Sequence, residues 1–279
     1  MEDGLTEDAL DRLAEAYDRG LACERAGDPE GAAAAFRDCL MIDPDDRGGA
    51  SVRLAALGAG PAPERAPPAY VATLFDQHAD SFEMTLVMSL GYAVPERIAE
   101  TLAALAPGDP PRFARVLDLG CGTGLVGEAL GEMAAEIEGI DLSEGMLDVA
   151  DEKEIYAGFH IGDAVAFLEQ ADGVAWDLIV AADVLPYLGA VEPLFNAVAL
   201  RLAPGGLFAF STEALPAEAQ EGQVWAVGPK QRYGHDPDQL VALLDARGLV
   251  LRHIEAVTVR YESGVPAAGH LIVAGRSVA

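Results

Sequence analysis

The stretch Val116-Leu117-Asp118-Leu119-Gly120-Cys121-Gly122-Thr123-Gly124-Leu125-Val126-Gly127 decides the fold of this chain. Its apolar start predicts a buried strand, and the helical pattern that resumes at Leu125 predicts a helix directly afterwards. The glycines between them permit backbone conformations and a close approach of ligand that a Cβ atom would block. We therefore expect a strand, a glycine turn and a helix, with an adenosine-like ligand on the turn.

Two classes of ligand compete for this turn. The spacing Gly122-x-Gly124-x-x-Gly127 matches the dinucleotide fingerprint, in which glycines and a helix N-terminus hold a pyrophosphate. Asp118, however, would place a carboxylate at the strand tip, where it would repel a pyrophosphate but attract a cationic amino acid. S-adenosylmethionine has such cations and no phosphate, so the sequence favours this cofactor. Asp141, at the end of a predicted second strand, is the expected ribose ligand because its two oxygens can accept both hydroxyls.

The motifs around this turn resemble those of the class I S-adenosylmethionine-dependent methyltransferases. Residues 118–124 are similar to the first motif of that family, and residues 139–147 are similar to the second. More narrowly, residues 74–79, 182–189 and 232–235 resemble predicted methyltransferases that carry a tetratricopeptide-like N-terminus. The resemblance covers most of the chain. It implies a methyltransferase whose acceptor is left open, because members of this group differ in substrate.

The resemblance also implies which residues contact the cofactor. Asp163 matches an acidic position that accepts a hydrogen bond from the adenine amino group, and it could also cap the helix that follows. Asp183 follows a predicted fourth strand, where ligands of open α/β sheets bind, so it either contacts cofactor or substrate or caps the next helix. The predicted cofactor-binding residues are Asp118, Gly120, Cys121, Gly122, Gly124, Asp141, Leu142, Met146, Asp163, Ala164, Ala182 and Asp183.

The acceptor side is predicted from the cluster Arg232-Tyr233-Gly234-His235. Arginine matches an anionic group with its fork of donors, and histidine titrates near neutral pH. We therefore predict catalytic or acceptor-binding roles for Arg232, His235 and Tyr187, and an acidic acceptor that is a small molecule or is bound to a carrier. A hydroxyl or amine acceptor must lose a proton, which His235 or Glu213 could take, whereas a carboxylate needs no base. The alternative is a solvated loop with incidental charges.

The composition limits the partners. A net charge of −28 over 279 residues, with Lys153 and Lys230 as the lysines, argues against binding of nucleic acid or anionic lipid. The three cysteines, Cys23, Cys39 and Cys121, have neither disulfide nor metal-ligand spacing. The acidic start at residues 1–4 lacks the features of a leader, and no apolar run is long enough to span a membrane. These features predict a cytoplasmic protein without a metal, a nucleic-acid partner or a membrane.

The N-terminal part of the chain is rich in alanine. Turn signals at residues 27–29 and 43–46 divide it into three predicted short helices. The spacing of one tetratricopeptide repeat is matched by Gly20, Gly27, Ala32, Phe36 and Pro44. One repeat cannot bury its face alone, so we expect these helices to close on themselves, on the main domain, on a second subunit or on a protein partner.

A linker rich in proline and glycine follows at residues 58–68. Beyond it, strands alternate with helices, a helix stop is expected at residues 107–111, and two final strands close the chain. This order indicates a doubly wound α/β sheet, and the resemblance implies seven strands with the last one reversed. The predicted domains are residues 1–65, helical and tetratricopeptide-like, and residues 66–279, the methyltransferase domain.

Two rival functions are compatible with the sequence. The overlapping glycine pattern would also suit a nicotinamide-dependent oxidoreductase. An assembly or adaptor protein could instead bind the cofactor with little turnover and use its repeat-like helices to hold a partner.

Overall fold

The computed structural model of the chain describes residues 5–105, 111–217 and 219–277. The acidic start at residues 1–4, and all but the last residue of the predicted helix stop at residues 107–111, lie outside these ranges. None of the helices within the described ranges has both the length and the apolar character that crossing a bilayer requires.

Three helices form the N-terminal part: α1 (Glu7–Ala26), α2 (Pro29–Ile42) and α3 (Ala50–Ala56). Gly27 ends α1 in the left-handed conformation, and the side chain of Asp28 caps α2 by accepting from the amide of Gly31, so the predicted turn is confirmed. Phe36 is fully buried against α1, where a Cβ atom on Gly20 would lie 2.5 Å from its ring. The helices therefore pack as closely as the small residues predicted, while their tetratricopeptide-like character stays a prediction.

The α/β part begins with α4. Its helices are α4 (Pro68–Asp76), α5 (Val94–Leu105), α6 (Leu125–Leu130), α7 (Glu144–Asp151), α8 (Ala164–Gln170), α9 (Glu192–Arg201) and α10 (Pro237–Asp245). Short 3-10 turns occur at Ala79–Ser81, Gly131–Met133 and Leu185–Tyr187, and a π-helical segment at Met84–Ser89. Its strands are β1 (Val116–Leu119), β2 (Ile137–Asp141), β3 (Gly158–Ile161), β4 (Trp176–Ala181), β5 (Leu202–Ala214), β6 (Trp225–Val227), β7 (Tyr233–His235), β8 (Leu249–Glu262) and β9 (Val265–Arg276).

The strands form one Rossmann-like sheet in the order β3-β2-β1-β4-β5-β9-β8. Pairing is parallel from β3 through β5, and β9 runs antiparallel to β5, so the prediction of an α/β fold with a reversed last strand is confirmed. The described part of the chain has nine strands where seven were predicted. The two additional strands, β6 and β7, form a hairpin, and β7 lies within the cluster at residues 232–235 for which a solvated loop was the alternative.

The hairpin lies above the end of β4. Glu213 in β5 pairs with Gly269 of β9 on one edge and with Gly234 of β7 on the other. Because β4 occupies that second edge only as far as Phe210, β7 continues the sheet beyond the carboxyl end of β4. Strand order reverses between β1 and β4, and this is where open α/β sheets bind ligands. The hairpin therefore lies beside the expected site.

The core lies on both faces of the sheet. The apolar side chains of β1 and β4, and those of Phe208, Ala209 and Phe210 in β5, are almost completely buried, which is typical of parallel strands covered by helices on both sides. Phe208 and Phe210 stack with ring centroids 4.7 Å apart, and Phe195 of α9 packs against both. This packing holds the carboxyl ends of the strands in fixed positions.

The predicted linker lies on the α/β part rather than in solvent. The amide of Ala66 donates to the carbonyl of Tyr187 at 2.9 Å, and the amide of Gly189 donates to the carbonyl of Glu64 at 2.8 Å. Tyr233 also donates its hydroxyl to the carbonyl of Pro63 at 3.0 Å. A domain boundary near residue 65 stays a prediction, and a cut there would break these contacts.

The packing of Gly20 against Phe36 is testable by substitution. Gly20→Val should lower the free energy of unfolding by about 2 kcal/mol, because the added side chain must displace a fully buried ring. Gly158→Val is the matched control, since a Cβ atom there would meet nothing within 4 Å. Urea unfolding followed by circular dichroism measures both variants. Equal stabilities for the two variants would contradict the close packing of α1 on α2.

Candidate functional site

Two adjoining cavities lie beyond the carboxyl ends of β1, β2 and β4. The first is lined by residues of the sheet edge, of α4 and of the linker: Arg65, Ala66, Pro68, Val71, Phe75, Gly120, Ile140, Asp141, Leu142, Gly162, Asp163, Ala164, Val165, Asp183, Val184, Tyr187 and Leu188. The second is lined by Phe82, Leu86, Tyr92, Pro95, Gly120, Cys121, Gly122, Thr123, Leu125, Val126, Ala182, Asp183, Tyr187, Arg232 and Arg260. Gly120, Asp183 and Tyr187 belong to both, so they mark the junction between the cavities.

The glycines of the turn are required for two different reasons. Gly120 has a φ of 62°, and a Cβ atom there would lie 2.6 Å from Cγ2 of Val184. Gly127, the third glycine of the apparent dinucleotide fingerprint, instead leaves room for Tyr156, whose ring would lie 2.7 Å from an added Cβ atom. One glycine of the apparent dinucleotide fingerprint therefore makes room for a protein side chain and not for a ligand.

Asp118 lies behind the turn and lines neither cavity. Its side chain is 1% exposed, and its Oδ2 accepts a hydrogen bond from the hydroxyl of Tyr156 at 2.7 Å. Its Oδ1 is buried without a hydrogen-bond partner among the described residues. Burial raises the pKa of Asp118 to about 7, although the hydrogen bond from Tyr156 acts to lower it. The predicted direct contact with the cofactor is thus not what the geometry shows, because Asp118 braces the turn from below.

Asp141 is placed as the sequence predicted, at the end of β2 in the first cavity. Its Oδ2 accepts from the amide of Gly122 at 2.9 Å, and its Oδ1 accepts from the amide of Ser143 at 2.9 Å. Burial raises the pKa of this carboxyl, and the amide donors act to lower it. Each carboxylate oxygen retains acceptor capacity beyond one bond, so Asp141 can hold the turn and also accept ligand hydroxyls.

Asp163 caps α8 and pairs with the linker. Its Oδ1 accepts from the amide of Ala166 at 3.0 Å, which confirms the capping role, and its Oδ2 accepts from Arg65 Nη1 at 2.9 Å. Both Asp163 and Arg65 line the first cavity. The contact of Asp163 with an adenine amino group stays a prediction.

The remaining predicted cofactor residues divide into two groups. Those that line a cavity are Gly120, Cys121, Gly122, Leu142, Ala164, Ala182 and Asp183. Gly124 and Met146 line neither cavity. Met146 is fully buried on the inner face of α7, so its role is packing, and Gly124 supplies a φ of 87° where α6 begins.

Five charged side chains form a cluster, and three of them, Asp183, Arg232 and Arg260, line the second cavity. Arg260 is 4% exposed; its Nη1 donates to Asp183 at 2.8 Å, its Nε to Glu262 at 3.1 Å and its Nη2 to Glu213. Arg232 donates from Nε to Glu213 at 2.6 Å and from Nη2 to Glu262. Three carboxylates thus surround two guanidinium groups. The predicted binding of an anionic acceptor by Arg232 is therefore not supported, because its charge is already compensated within the protein.

His235 does not take part in the site. It is fully buried in β7 and lines neither cavity. Its Nε2 lies 3.2 Å from the carbonyl of Gly189, and its Nδ1 lies 2.8 Å from Oγ1 of Thr212. Burial lowers the pKa of His235 to about 4, so the imidazole is neutral near pH 7. The prediction that His235 accepts a proton from the acceptor is wrong, since both ring nitrogens are occupied and enclosed.

The other predicted base, Glu213, is also engaged. Its Oε1 accepts from both Arg232 and Arg260, and it lines neither of the two cavities. Tyr187, in contrast, lies at the junction of the cavities as predicted. Its ring packs edge to face on Phe75 at 5.4 Å, and burial raises the pKa of its hydroxyl. Tyr187 is thus the one residue of the predicted catalytic trio that the structure places between the two cavities.

Asp183 is held by its backbone and its side chain. Its φ is 59°, a left-handed conformation that is uncommon outside glycine, and its amide donates to Oγ of Ser211 at 2.8 Å. The alternative role as a helix cap is not observed, since the turn Leu185–Tyr187 has no side-chain cap. Burial raises the pKa of Asp183, and Arg260 acts to lower it.

Sequence reasoning missed Tyr156, Arg65 and Arg260. Tyr156 lies 38 positions from the carboxylate that it contacts, and no motif links the two. Arg260 had a signal, because an arginine at the end of a largely apolar strand requires carboxylate partners. No group of three or more metal-ligating side chains in a metal-binding arrangement occurs within the ranges that the structure describes.

Comparison with known proteins identifies related sequences. A family model described as a methyltransferase domain matches residues 90–254, more than half of the chain. The ubiquinone biosynthesis O-methyltransferase of Idiomarina loihiensis is 29% identical over 153 residues, which cover 48% of this chain and 61% of that protein. The chain thus spans less than two thirds of the length of this relative.

Solved structures share the fold at low identity. The N-methyltransferase NodS of Bradyrhizobium japonicum, in complex with S-adenosyl-L-homocysteine, has a TM-score of 0.56 at 15% identity, over 74% of this chain and 98% of that one. The phosphoethanolamine N-methyltransferase 2 of Haemonchus contortus, in complex with phosphomonomethylethanolamine and S-adenosylhomocysteine, has a TM-score of 0.57 at 16% identity, over 72% and 57% of the two chains. At such low sequence identities, the similarity to these two structures shows a shared fold and nothing more.

The raised pKa of Asp118 predicts a pH-dependent stability. An aspartate has a pKa of about 4 when unfolded, whereas Asp118 has a pKa of about 7 in the folded chain. The folded state therefore binds more protons between these values, and its stability falls as pH rises through that window. Relative to the wild type, Asp118→Asn should gain on the order of 2–4 kcal/mol in free energy of unfolding between about pH 4 and about pH 7, and nothing further above.

Urea unfolding of both proteins across this range, without added ligand, measures the difference. Tyr156→Phe provides a second check, because it removes the hydrogen bond that lowers the pKa of Asp118 and should extend the window to higher pH. A stability difference between Asp118→Asn and the wild type that does not change with pH would show that Asp118 is ionised throughout.

Proposed function

Because the chain belongs to the methyltransferase-domain family, we propose that it transfers a methyl group from S-adenosylmethionine to a small-molecule acceptor, free or presented on a carrier. The position of Asp141 is the observation that most strongly supports this function. Its carboxylate stands at the end of β2, braced by two amides, in a cavity that opens directly onto the glycine turn. A ribose with two free hydroxyls is a matching partner for such a group.

The residues present fit S-adenosylmethionine better than a dinucleotide. Of the described residues lining the first cavity, Arg65 alone is basic, and its guanidinium already donates to Asp163. A pyrophosphate would therefore meet carboxylates without a free cation. The buried carboxylate of Asp118 below the turn favours positive charge above it. The same features argue against the nicotinamide-dependent alternative.

The roles of the chain follow from the two cavities. S-adenosylmethionine supplies an electrophilic methyl group on a sulfonium. Asp141 holds the ribose, the turn at Gly120 allows close approach of the backbone, and Asp163 with Arg65 bounds the adenine end. Tyr187 and Asp183 lie where cofactor and acceptor meet. Methyl transfer is a displacement that depends chiefly on holding the nucleophile close and in line, so positioning supplies most of the rate.

The second cavity suits a small acceptor with an apolar body. Its walls include the side chains of Phe82, Leu86, Tyr92 and Leu125. The names of similar proteins include both O- and N-methyltransferases, so similarity fixes neither the nucleophilic atom nor the substrate. The compensated charges of Arg232 and Arg260 speak against the acidic acceptor predicted from the sequence.

Removal of the ribose ligand tests this function. Asp141→Ala should weaken binding of S-adenosylhomocysteine by about 1.5–3 kcal/mol, or roughly ten- to hundredfold, because hydrogen bonds to a charged acceptor are lost. Glu138→Gln is the matched control, because it also removes a carboxylate from β2. The side chain of Glu138 pairs with Arg115 and lines neither cavity. Calorimetric titration measures both affinities, and circular dichroism verifies folding. Undiminished binding to Asp141→Ala would exclude this cavity as the cofactor site.

A further inference from the structure

Among the described residues that line both cavities, Asp183 supplies the carboxylate, and its pairing with Arg260 leaves part of its hydrogen-bonding capacity unused. Asp183 lines both cavities, and its side chain is 19% exposed. Glu213 and Glu262, the other carboxylates of the charged cluster, line neither cavity. A ligand that spans the junction therefore meets the carboxylate of Asp183 and no other carboxylate of that cluster.

The carboxylate of Asp183 has unused acceptor capacity. Its Oδ2 accepts one hydrogen bond, from Arg260, while its Oδ1 is buried without a partner among the described residues. The outer torsion of an aspartate side chain is soft, so a small rotation can present either oxygen to the junction. A buried carboxylate oxygen without a donor is costly, and a ligand that brings an N–H or O–H group removes this cost.

The charge of the cluster selects among such donors. Two guanidinium groups face three carboxylates, and Lys230 lies beside Glu262, so the positive charges of Arg232 and Arg260 are compensated within the protein. A carboxylate acceptor would bring a second negative charge to Asp183 without a hydrogen-bond donor, and a neutral hydroxyl would donate without an opposite charge. A protonated amine both donates hydrogen bonds to Asp183 and carries the opposite charge.

The walls of the second cavity are consistent with the same chemistry. Phe82, Tyr92 and Tyr187 line it, and aromatic faces attract ammonium groups while excluding water. Ser211 fixes the backbone of Asp183, and Arg260 contacts one oxygen of its carboxylate, so the residue is at the junction before any ligand arrives.

We propose that the methyl acceptor is an amine, and that Asp183 binds its ammonium group and takes its proton. Asp183 removes one proton from the ammonium, and the freed nitrogen lone pair attacks the methyl carbon. The bond from that carbon to sulfur breaks, and its electron pair stays on sulfur. The products are the N-methylated ammonium and neutral S-adenosylhomocysteine, and Asp183 then releases its proton to water. This role rests on the methyltransferase activity proposed above.

Three probes that share a benzyl or phenyl group test the acceptor class: benzylamine, benzyl alcohol and benzoate. Each is titrated into the full-length wild type saturated with S-adenosylhomocysteine. Benzylamine should bind about tenfold or more tightly than the other two. Equal or tighter binding of benzyl alcohol or benzoate, or no binding of benzylamine, would overturn the assignment of an amine acceptor.

Two variants with the same charge change test Asp183 itself. Asp183→Asn should lower the affinity for benzylamine about tenfold or more, and should slow labelled-methyl transfer to it about a hundredfold or more. Glu262→Gln also removes one negative charge that pairs with Arg260, but Glu262 lines neither cavity. The benzylamine affinity and the methyl-transfer rate of this variant should therefore stay within about threefold of wild type. Equal effects of the two variants would show that only the overall charge of the cluster matters, and would overturn the role of Asp183.

The affinity of the wild type for S-adenosylhomocysteine distinguishes a failure of the proposed methyltransferase function from a failure of the proposed amine acceptor. If the wild type does not bind S-adenosylhomocysteine, the proposed methyltransferase function fails. If it binds S-adenosylhomocysteine but ranks the three probes differently, the function stands and the amine acceptor is wrong. The probe ranking in the wild type decides the acceptor class even if Asp183→Asn does not fold.

Discussion

One buried carboxylate connects the parts of the chain that form the site. Asp141 accepts the amides of Gly122 and Ser143, so it joins the turn after β1 to the start of α7. A buried carboxylate is costly unless donors satisfy it, and these two amides satisfy Asp141 at the edge of the first cavity, while Gly122 lines the second. The proposed ribose contact depends on this arrangement.

A second constraint acts at the second cavity, where buried arginines and carboxylates balance each other's charge. Arg260 is nearly completely buried, and burying a guanidinium requires several carboxylate partners. Arg232 shares two of these partners, so both arginines help to hold β5, β7 and β8 together beside the second cavity. The positive residues of the cluster are therefore structural, and the proposed ligand contact falls to Asp183, the carboxylate of the cluster that lines both cavities.

The sequence predicted the features that depend on local patterns. Apolar runs between helical periods identified the parallel strands, and the predicted second strand placed Asp141 at its end, beside the glycine turn. Prediction from the sequence failed for residues whose environment depends on partners that are distant in the chain. His235 was predicted to be a base, but pairing of β7 with β5 buries it beside Thr212. Arg232 was predicted to bind an anionic acceptor, but the β8 strand brings Glu262 to it from 30 positions away. The partners in both cases lie on different strands and far apart in the sequence, so no local pattern brings them together.

The most direct test of S-adenosylmethionine chemistry on this fold is a calorimetric competition between two cofactors. S-adenosylhomocysteine should bind the wild type with one molecule per chain, and reduced nicotinamide adenine dinucleotide should neither bind nor displace it, because the described residues that line the first cavity offer a pyrophosphate no unpaired basic side chain. Binding of the reduced dinucleotide together with no binding of S-adenosylhomocysteine would contradict the assignment of this site.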